Sequence, residues 1–336
     1  MKKSRFVALL LVVILCWASL PGRADDKKDD VDDIGDRKVA HRSIISQEKE
    51  IAIGKQYADQ IDKQAKILKD TVINEYVNRV AQNLARNSDL KIPLTIKVID
   101  DPAINAFTLP GGFMYLNTGT LLAADEEDQV AGVIAHEIGH AAARHWASTM
   151  TKATLLQFSM IPMMFIPMTA AVYMGVMEAY MNGVPMMFLK FSRKDEQEAD
   201  FLGLQYMYKA GYDPNAFVGF FGKVMDEERH SPGSMAKVFA DHPPTGDRII
   251  ASEEEIQKIL PKRDEYLVST SEFDDIKARL QTLITQHKRQ QKGDSGPTLR
   301  KRESPDSSST TQAGQQTNTD GDDAPPVLKR RDPGSN

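Results

Sequence analysis

Cysteine is nearly absent from this chain of 336 residues, in which Cys16 is the only one. Cys16 lies in a segment with the pattern of a secretory signal, which has basic residues at 2–5, an apolar run at 6–15 and a small-x-small cleavage site at 22–24. We therefore expect an exported chain without thiols or disulfides, stabilised by packing or by a bound metal. A retained membrane anchor is the alternative, although this run is shorter than the ~20 residues of a spanning helix.

Positive charge is also in short supply, since 42 Lys and Arg stand against 47 Asp and Glu, a net charge of -5. Removal of residues 1–24 would take away four basic residues and no acidic one, which lowers the net charge to -9. A chain this acidic is a poor match for nucleic acid, and we predict no such partner. The expected location is the periplasm, with or without membrane association.

Composition divides the chain into a signal peptide at 1–24, an acidic linker at 25–45, a folded domain at 46–265, a C-terminal helix at 266–291 and a disordered tail at 292–336. The tail contains the related stretches "PTLRKR" (297–302) and "PVLKRR" (326–331). These are either solvated charges in a linker or duplicated docking motifs for a partner.

Apolar spacing of three and four residues predicts helices at 51–61, 71–86, 126–150, 192–210, 214–228, 246–259 and 272–290. Alternation of period two predicts strands at 94–98, 106–109 and 113–116. One strand of this small sheet is expected to be an exposed edge that faces the cleft and can pair with an extended peptide.

The stretch "HEIGH" carries the strongest chemical signal in the sequence. His136 and His140 are four residues apart, so both side chains project from one face of a helix and can bind one ion. Glu137 lies at the flank of that face, where it can contact a water molecule without becoming a ligand. Zinc suits this arrangement, although an amphipathic helix facing solvent is the alternative.

Two histidines leave room for a third protein ligand, and Glu196 in "SRKDEQEAD" is the best candidate. Asp200, one turn later, could accept the second N–H of a ligand histidine and so fix its tautomer. Glu198 is the nearest competitor for the ligand role, but it is rotated about 200° from Glu196 around the helix, so both cannot face the metal. A solvated charged face is the alternative.

Residues 153–177 contain no charged side chain and are rich in Met and Phe. A single membrane crossing there would separate His140 from Glu196 by about 30 Å, which is incompatible with shared zinc ligation. We therefore expect the wider segment 153–190 to be a lid over the cleft, a peripheral membrane contact or core packing.

The motifs "HEIGH", "SRKDEQEAD" and "DHPPTGDR", in this order, resemble the HtpX-like and CAAX-prenyl-protease-type family of zinc endopeptidases over residues 46–260. The resemblance implies an α+β fold, mostly helical and zincin-like (gluzincin), with a small antiparallel or mixed sheet beside the active-site helix. It also implies one zinc ion per chain, with Glu196 as the third ligand and Asp200 as its support.

Two further regions are similar to this family. His242 and Arg248 match positions over the zinc, where they would bind substrate and the oxyanion or cap the metal in a resting state. A Pro-rich loop with a helix-starting His is the alternative. The stretch "NAFTLPGGFMYLNTG" resembles the active-site strand, so the predicted substrate-strand residues are Gly111, Gly112, Phe113, Met114 and Tyr115.

The predicted function is hydrolysis of peptide bonds in unfolded or misassembled envelope proteins, as protein quality control, with extended polypeptides as substrates. Glu137 would act as the general base on a zinc-activated water. The alternative is a metal-stabilised periplasmic holdase with latent protease activity.

Overall fold

The computed structural model describes residues 30–160, 191–230, 242 and 245–293. Within them the chain is mostly helical with one small mixed sheet, which confirms the predicted fold class. The elements in chain order are α1 (Gln47–Gln64), α2 (Thr71–Arg86), β1 (Thr95–Ile99), β2 (Ala106–Leu109), β3 (Phe113–Asn117), α3 (Thr118–Ala123), α4 (Glu127–Ala143), α5 (His145–Met160), α6 (Arg193–Ala210), α7 (Pro214–His230), α8 (Gly246–Ile259) and α9 (Ser271–Gly293).

Several predictions fall outside the described residues: the signal peptide at 1–24, the tail predicted at 292–336 except for its first two residues, and most of the segment 153–190. Both basic repeats of the tail also lie outside the described residues. Residues 292 and 293 belong to the end of α9, so the tail begins later than predicted. The described start of that segment is the end of α5, where Leu155 and Phe158 are exposed. Among the residues that the structure describes, no helix combines the length and the apolarity needed to cross a membrane.

The described part of the predicted acidic linker (25–45) packs on the domain, so the prediction of a solvated segment is wrong there. Val31 and Val39 are buried, and the guanidinium of Arg37 forms a buried ion pair with Asp89 at 2.6 Å. The charge of Arg37 is tolerated because a carboxylate pairs with it. Composition did not predict this packing, because only a few residues of a mostly charged segment make the buried contacts.

The last helix belongs to the main core. Phe273, Ile276 and Leu280 of α9 are buried in the main hydrophobic cluster, and the chain up to Arg289 forms one compact unit. The predicted boundary between the domain at 46–265 and a separate helix is therefore not a break in packing. Residues 290–336 form a second unit, of which only the end of α9 is described.

The sheet has the order β1-β3-β2, with β1 parallel and β2 antiparallel to the central strand β3. Gly111 and Gly112 form the turn between β2 and β3 with φ of 77° and 83°. A Cβ on Gly112 would lie 2.5 Å from the carbonyl oxygen of Pro93, so this turn requires glycine.

The position of β3 corrects the predicted substrate strand. Phe113, Met114 and Tyr115 pair with β1 on one side and with β2 on the other, which leaves no free backbone edge for a peptide. The hydroxyl of Tyr115 lies 3.1 Å from Asp62 of α1, away from the predicted metal ligands. Period two identified the strands correctly, but it carries no information about their order in a sheet.

Helix α4 is buried on nearly all sides, and small residues allow its neighbours to approach closely. A Cβ on Gly139 would lie 2.8 Å from the carbonyl oxygen of Ala199 in α6, and a Cβ on Gly203 would lie 3.0 Å from the backbone nitrogen of His136. The two glycines therefore set the distance between α4 and α6, the helices that carry the predicted ligands.

The predicted continuous helix at 126–150 is wrong at Arg144. This residue has φ of 57° and ψ of 41°, so α4 ends there and α5 begins in a new direction. The side chain of Arg144 donates hydrogen bonds at 2.8 Å to the carboxylate of Glu50 and to the carbonyl oxygen of Ile45. These long-range contacts hold a backbone conformation that a non-glycine residue seldom adopts.

Candidate metal centre

Helices α4 and α6 bring the three predicted zinc ligands together in a buried cluster. Nε2 of His136 lies 3.1 Å from Nε2 of His140, and the two carboxylate oxygens of Glu196 divide between these nitrogens, with Oε2 at 3.6 Å from His136 and Oε1 at 3.6 Å from His140. All three side chains are buried. The cluster therefore presents two imidazole nitrogens and a carboxylate to one point between the helices.

The spacing and the protonation of these residues fit a zinc ion. Two atoms bonded at ~2.0–2.1 Å to one tetrahedral ion lie about 3.3 Å apart, close to the separations observed. Burial lowers the pKa of His140 well below its usual range, so its imidazole is neutral. Burial alone would raise the pKa of Glu196, but the hydrogen bond from His242 and the nearby positive charges outweigh it and lower the pKa. A neutral imidazole and an ionised carboxylate are the forms that bind metal.

Asp200 and Arg248 contact the predicted ligands. Oδ1 of Asp200 lies 2.9 Å from Nδ1 of His136, the approach that the tautomer prediction requires, although the two atoms are not aligned as a hydrogen bond. Arg248, near the start of α8, donates to both oxygens of Asp200 at 2.6 and 2.7 Å, and its Nη1 lies 3.1 Å from Glu196. These contacts outweigh burial and lower the pKa of Asp200, which keeps it an acceptor.

Glu137 lies beside the ligands with its carboxylate buried. Burial raises its pKa, while the charges of His242 and His136 and the hydroxyl of Thr108 act in the opposite direction. Its Oε1 has no hydrogen-bond partner among the described residues, and Nε2 of His242 lies 3.7 Å from it. The side chain therefore keeps a lone pair that can accept a proton.

His242 is the fourth member of the buried cluster. Its Nδ1 lies 2.8 Å from Oε1 of Glu196, and its ring centroid lies 4.7 Å from that of His140. Burial would lower its pKa, but the charge of Glu137 and the hydrogen bond to Glu196 outweigh it and raise the pKa to about 9. The structure thus brings His242 to the ligands, as both predicted roles require.

Sequence reasoning missed several side chains around His140. The ring of Phe191 stacks on it at 4.3 Å, and Nδ1 of His145 lies 2.9 Å from its Nδ1. Glu198 contacts His145 rather than the cluster, as its rotation from Glu196 predicted. A histidine five residues after His140 was the available signal, but a continuous helix would have placed it on another face.

The model of peptidase family M48 matches residues 72–256, more than half of the chain. The beta-barrel assembly-enhancing protease of Escherichia coli K12 is 26% identical over 287 residues, which cover 84% of this chain and 57% of that protein.

Two eukaryotic relatives are named mitochondrial metalloendopeptidase OMA1. The protein of Schizosaccharomyces pombe is 33% identical over 192 residues (56% of this chain, 55% of that protein), and the protein of Arabidopsis thaliana is 37% identical over 165 residues (48% and 32%). The chain thus spans little more than half the length of the first two relatives. The match concerns the whole M48 family, and membership of the HtpX-like or CAAX-prenyl-protease-type branch stays a prediction.

Proposed function

Because this chain belongs to peptidase family M48, we propose that it is a zinc-dependent endopeptidase that hydrolyses unfolded or misassembled proteins of the cell envelope. The observation that carries the proposal is the buried convergence of His136, His140 and Glu196 beside Glu137, a base with an available lone pair.

His136, His140 and Glu196 would hold the zinc ion, one per chain. A zinc ion bound there supplies a Lewis acid for a peptide carbonyl and lowers the pKa of water toward ~7. Glu137 accepts the proton of the attacking water and passes it to the leaving amine. Its raised pKa suits this role, because a higher pKa makes the carboxylate a stronger base toward water.

Arg248 is better suited to positioning than to the predicted contact with an oxyanion. Its guanidinium is directed to both oxygens of Asp200, to Glu196 and to the carbonyl oxygen of His242. We infer that Arg248 fixes Asp200, that Asp200 fixes the tautomer of His136, and that the carboxylate of Glu196 is held in place by the same guanidinium.

Strand β2 takes over the proposed role of the substrate strand. It pairs with β3 on one side only, and no other strand pairs with it among the described residues. Strand β2 packs against α4, the helix that carries Glu137, so this edge runs beside the proposed base. An extended peptide that pairs with β2 would be recognised by its backbone, which suits unfolded substrates of varied sequence.

An envelope location is supported by the signal-like pattern at 1–24 and by a relative named a beta-barrel assembly-enhancing protease. We place the protein in the periplasm. A peripheral membrane contact through 153–190 and partner docking through the basic repeats at 297–302 and 326–331 remain part of this proposal.

Latency is favoured by one specific observation. Nδ1 of His242 lies 2.8 Å from the carboxylate of Glu196 inside the ligand cluster. In this position His242 would cap the site in a resting state, and displacement of its side chain would admit substrate. A metal-stabilised holdase with latent protease activity is therefore the second candidate.

Glu137→Gln and Glu196→Ala test the proposal. Wild-type protein should contain one zinc and cleave casein, whereas Glu137→Gln should keep zinc and lose about 10²–10⁴-fold in rate. Glu196→Ala should lose both zinc and activity, and Glu254→Gln, an exposed carboxylate on α8, is the matched control. Undiminished cleavage by Glu137→Gln would exclude it as the base. Rescue of a deletion strain by the same variant would favour the holdase.

A further inference from the structure

A second group of side chains adjoins the proposed zinc ligands on the far side of His140. Nδ1 of His145 lies 2.9 Å from Nδ1 of His140, and Nε2 of His145 lies 3.2 Å from Oε2 of Glu198. Nε2 of His41 lies 2.6 Å from the same oxygen of Glu198. The proposed reaction uses none of these three groups.

The left-handed turn at Arg144 places His145 in this group. Without the turn, α4 would continue and the side chain of His145 would not lie beside His140. His41, at the other end of the group, comes from the N-terminal segment. It is held beside α4 by a hydrogen bond of 2.9 Å from its backbone nitrogen to the carbonyl oxygen of Ala143. Exposure increases along the group, from 0% for the side chain of His145 to 36% for that of His41.

The distances indicate hydrogen bonds rather than a second metal site. Ligands of one tetrahedral ion lie about 3.3 Å apart, as the proposed zinc ligands nearly do. The 2.6 Å between His41 and Glu198 is too short for two ligands of one ion and is typical of a charge-assisted hydrogen bond.

The protons along the group can be assigned from one starting point. If Nε2 of His140 faces the metal, its ring proton lies on Nδ1, which then donates to Nδ1 of His145. His145 must carry its own proton on Nε2 and donate to Glu198, which can only accept. His41 donates to the same oxygen. Every contact in the series then joins one donor to one acceptor.

We propose that His145, held by Glu198 and His41, is a positioning residue that fixes the tautomer and ring orientation of His140. It would do for His140 what Asp200 does for His136, and it would connect the N-terminal segment to the metal site. The inference rests on the proposed function, since it requires that His140 binds zinc.

Zinc affinity, measured by chelator competition, and the visible spectrum of the cobalt(II)-substituted protein test this role. His145→Leu should weaken zinc binding by about 10–100-fold, the usual cost of losing the partner of a ligand histidine, and should alter the cobalt spectrum. In His145→Asn the amide oxygen can occupy the position of Nδ1 and accept from His140. This variant should recover most of the affinity, which a purely structural role would not predict.

A second pair of variants keeps the test decisive if His145→Leu fails to fold. Glu198 is partly exposed, so Glu198→Met should fold and should still weaken zinc binding by about tenfold. Glu254→Met, the same change at an exposed carboxylate on α8, is the control and should leave the affinity unchanged.

The outcomes separate this inference from the proposed function. A wild-type protein that binds no zinc would refute the proposed function itself. One zinc per chain, with equal affinities in wild type, Glu198→Met and any folded His145→Leu, would overturn only the role of His145. A second equivalent of zinc that is lost in His41→Ala would show that the group is a metal site instead.

Discussion

Gly139→Ala tests whether the close crossing of α4 and α6 determines zinc binding. The added methyl carbon would lie 2.8 Å from the carbonyl oxygen of Ala199 and 3.1 Å from its Cα. Carbon–oxygen contacts are ordinarily about 3.3 Å or longer, so α6 must move away by several tenths of an ångström. Glu196 lies one turn before Ala199 and would move with it.

The expected magnitude combines two opposing terms. Alanine favours a helix over glycine by ~1 kcal/mol, whereas overpacking a buried contact costs about 1–3 kcal/mol. Gly139→Ala should therefore lower the free energy of unfolding of the metal-free protein by up to about 2 kcal/mol. Zinc affinity should fall by about tenfold, because the ligands come from both helices and tolerate displacements of only ~0.5 Å.

Gly219→Ala in α7 is the matched control. A Cβ at Gly219 meets nothing within 4 Å among the described residues. The free energy of unfolding of this variant should therefore rise by about 0.5–1 kcal/mol, and its zinc affinity should equal that of the wild type. Urea denaturation of the metal-free proteins and chelator competition measure the two quantities. Equal stability and equal zinc affinity in Gly139→Ala and Gly219→Ala would refute the argument that this crossing sets the site.

Three further substitutions have defined outcomes. Burial, reinforced by neighbouring carboxylates, raises the pKa of Asp128 from 3.8 to about 7. The folded state therefore loses stability as pH rises through that range. In urea denaturation at pH 8, the free energy of unfolding of Asp128→Asn should exceed that of wild type by about 1–2 kcal/mol, after allowance for solvent screening, whereas at pH 4 the two should differ little. If the capped state makes up about 90% of the molecules, only about a tenth of them are open to substrate, so His242→Ala should increase casein turnover by roughly tenfold with unchanged zinc content. Unchanged turnover would argue against capping. Arg37→Ala leaves the buried carboxylate of Asp89 without its charged partner and should cost about 3–5 kcal/mol in urea denaturation; a loss below about 1 kcal/mol would restore the view of this segment as a linker.

Local features of the chain were predictable from sequence. The helix predicted at 71–86 has those bounds, because Asp70 caps it by accepting from the backbone nitrogen of Ile73. The helix predicted at 192–210 ends before Gly211, whose φ of 96° suits glycine. His136 and His140 could be paired for the same reason, since a spacing of four within one helix fixes their relation without knowledge of the fold.

Features set by distant contacts were not predictable. The conformation of Arg144 depends on Glu50, almost a hundred residues earlier, and nothing in the local sequence marks a helix end there. The order of the strands and the docking of the segment around Arg37 depend on similar long-range pairings. The same limit hid His145, because its place beside His140 follows from the turn at Arg144.

The scarcity of cysteine gives the metal a structural consequence as well as a chemical one. His136 and His140 lie on α4 and Glu196 on α6, so a zinc ion bound to all three would join two core helices. Binding to the folded state alone adds RT ln(1 + [Zn]/Kd), about 2.7 kcal/mol at a free zinc concentration of 100 times Kd. Chelation should therefore lower the midpoint of thermal unfolding of the wild type, whereas Glu196→Ala should unfold at the same temperature with or without chelator. A wild-type midpoint indifferent to chelator, in protein shown to lose its zinc, would mean that the two helices are already held together by packing across Gly139 and that the metal serves the reaction alone.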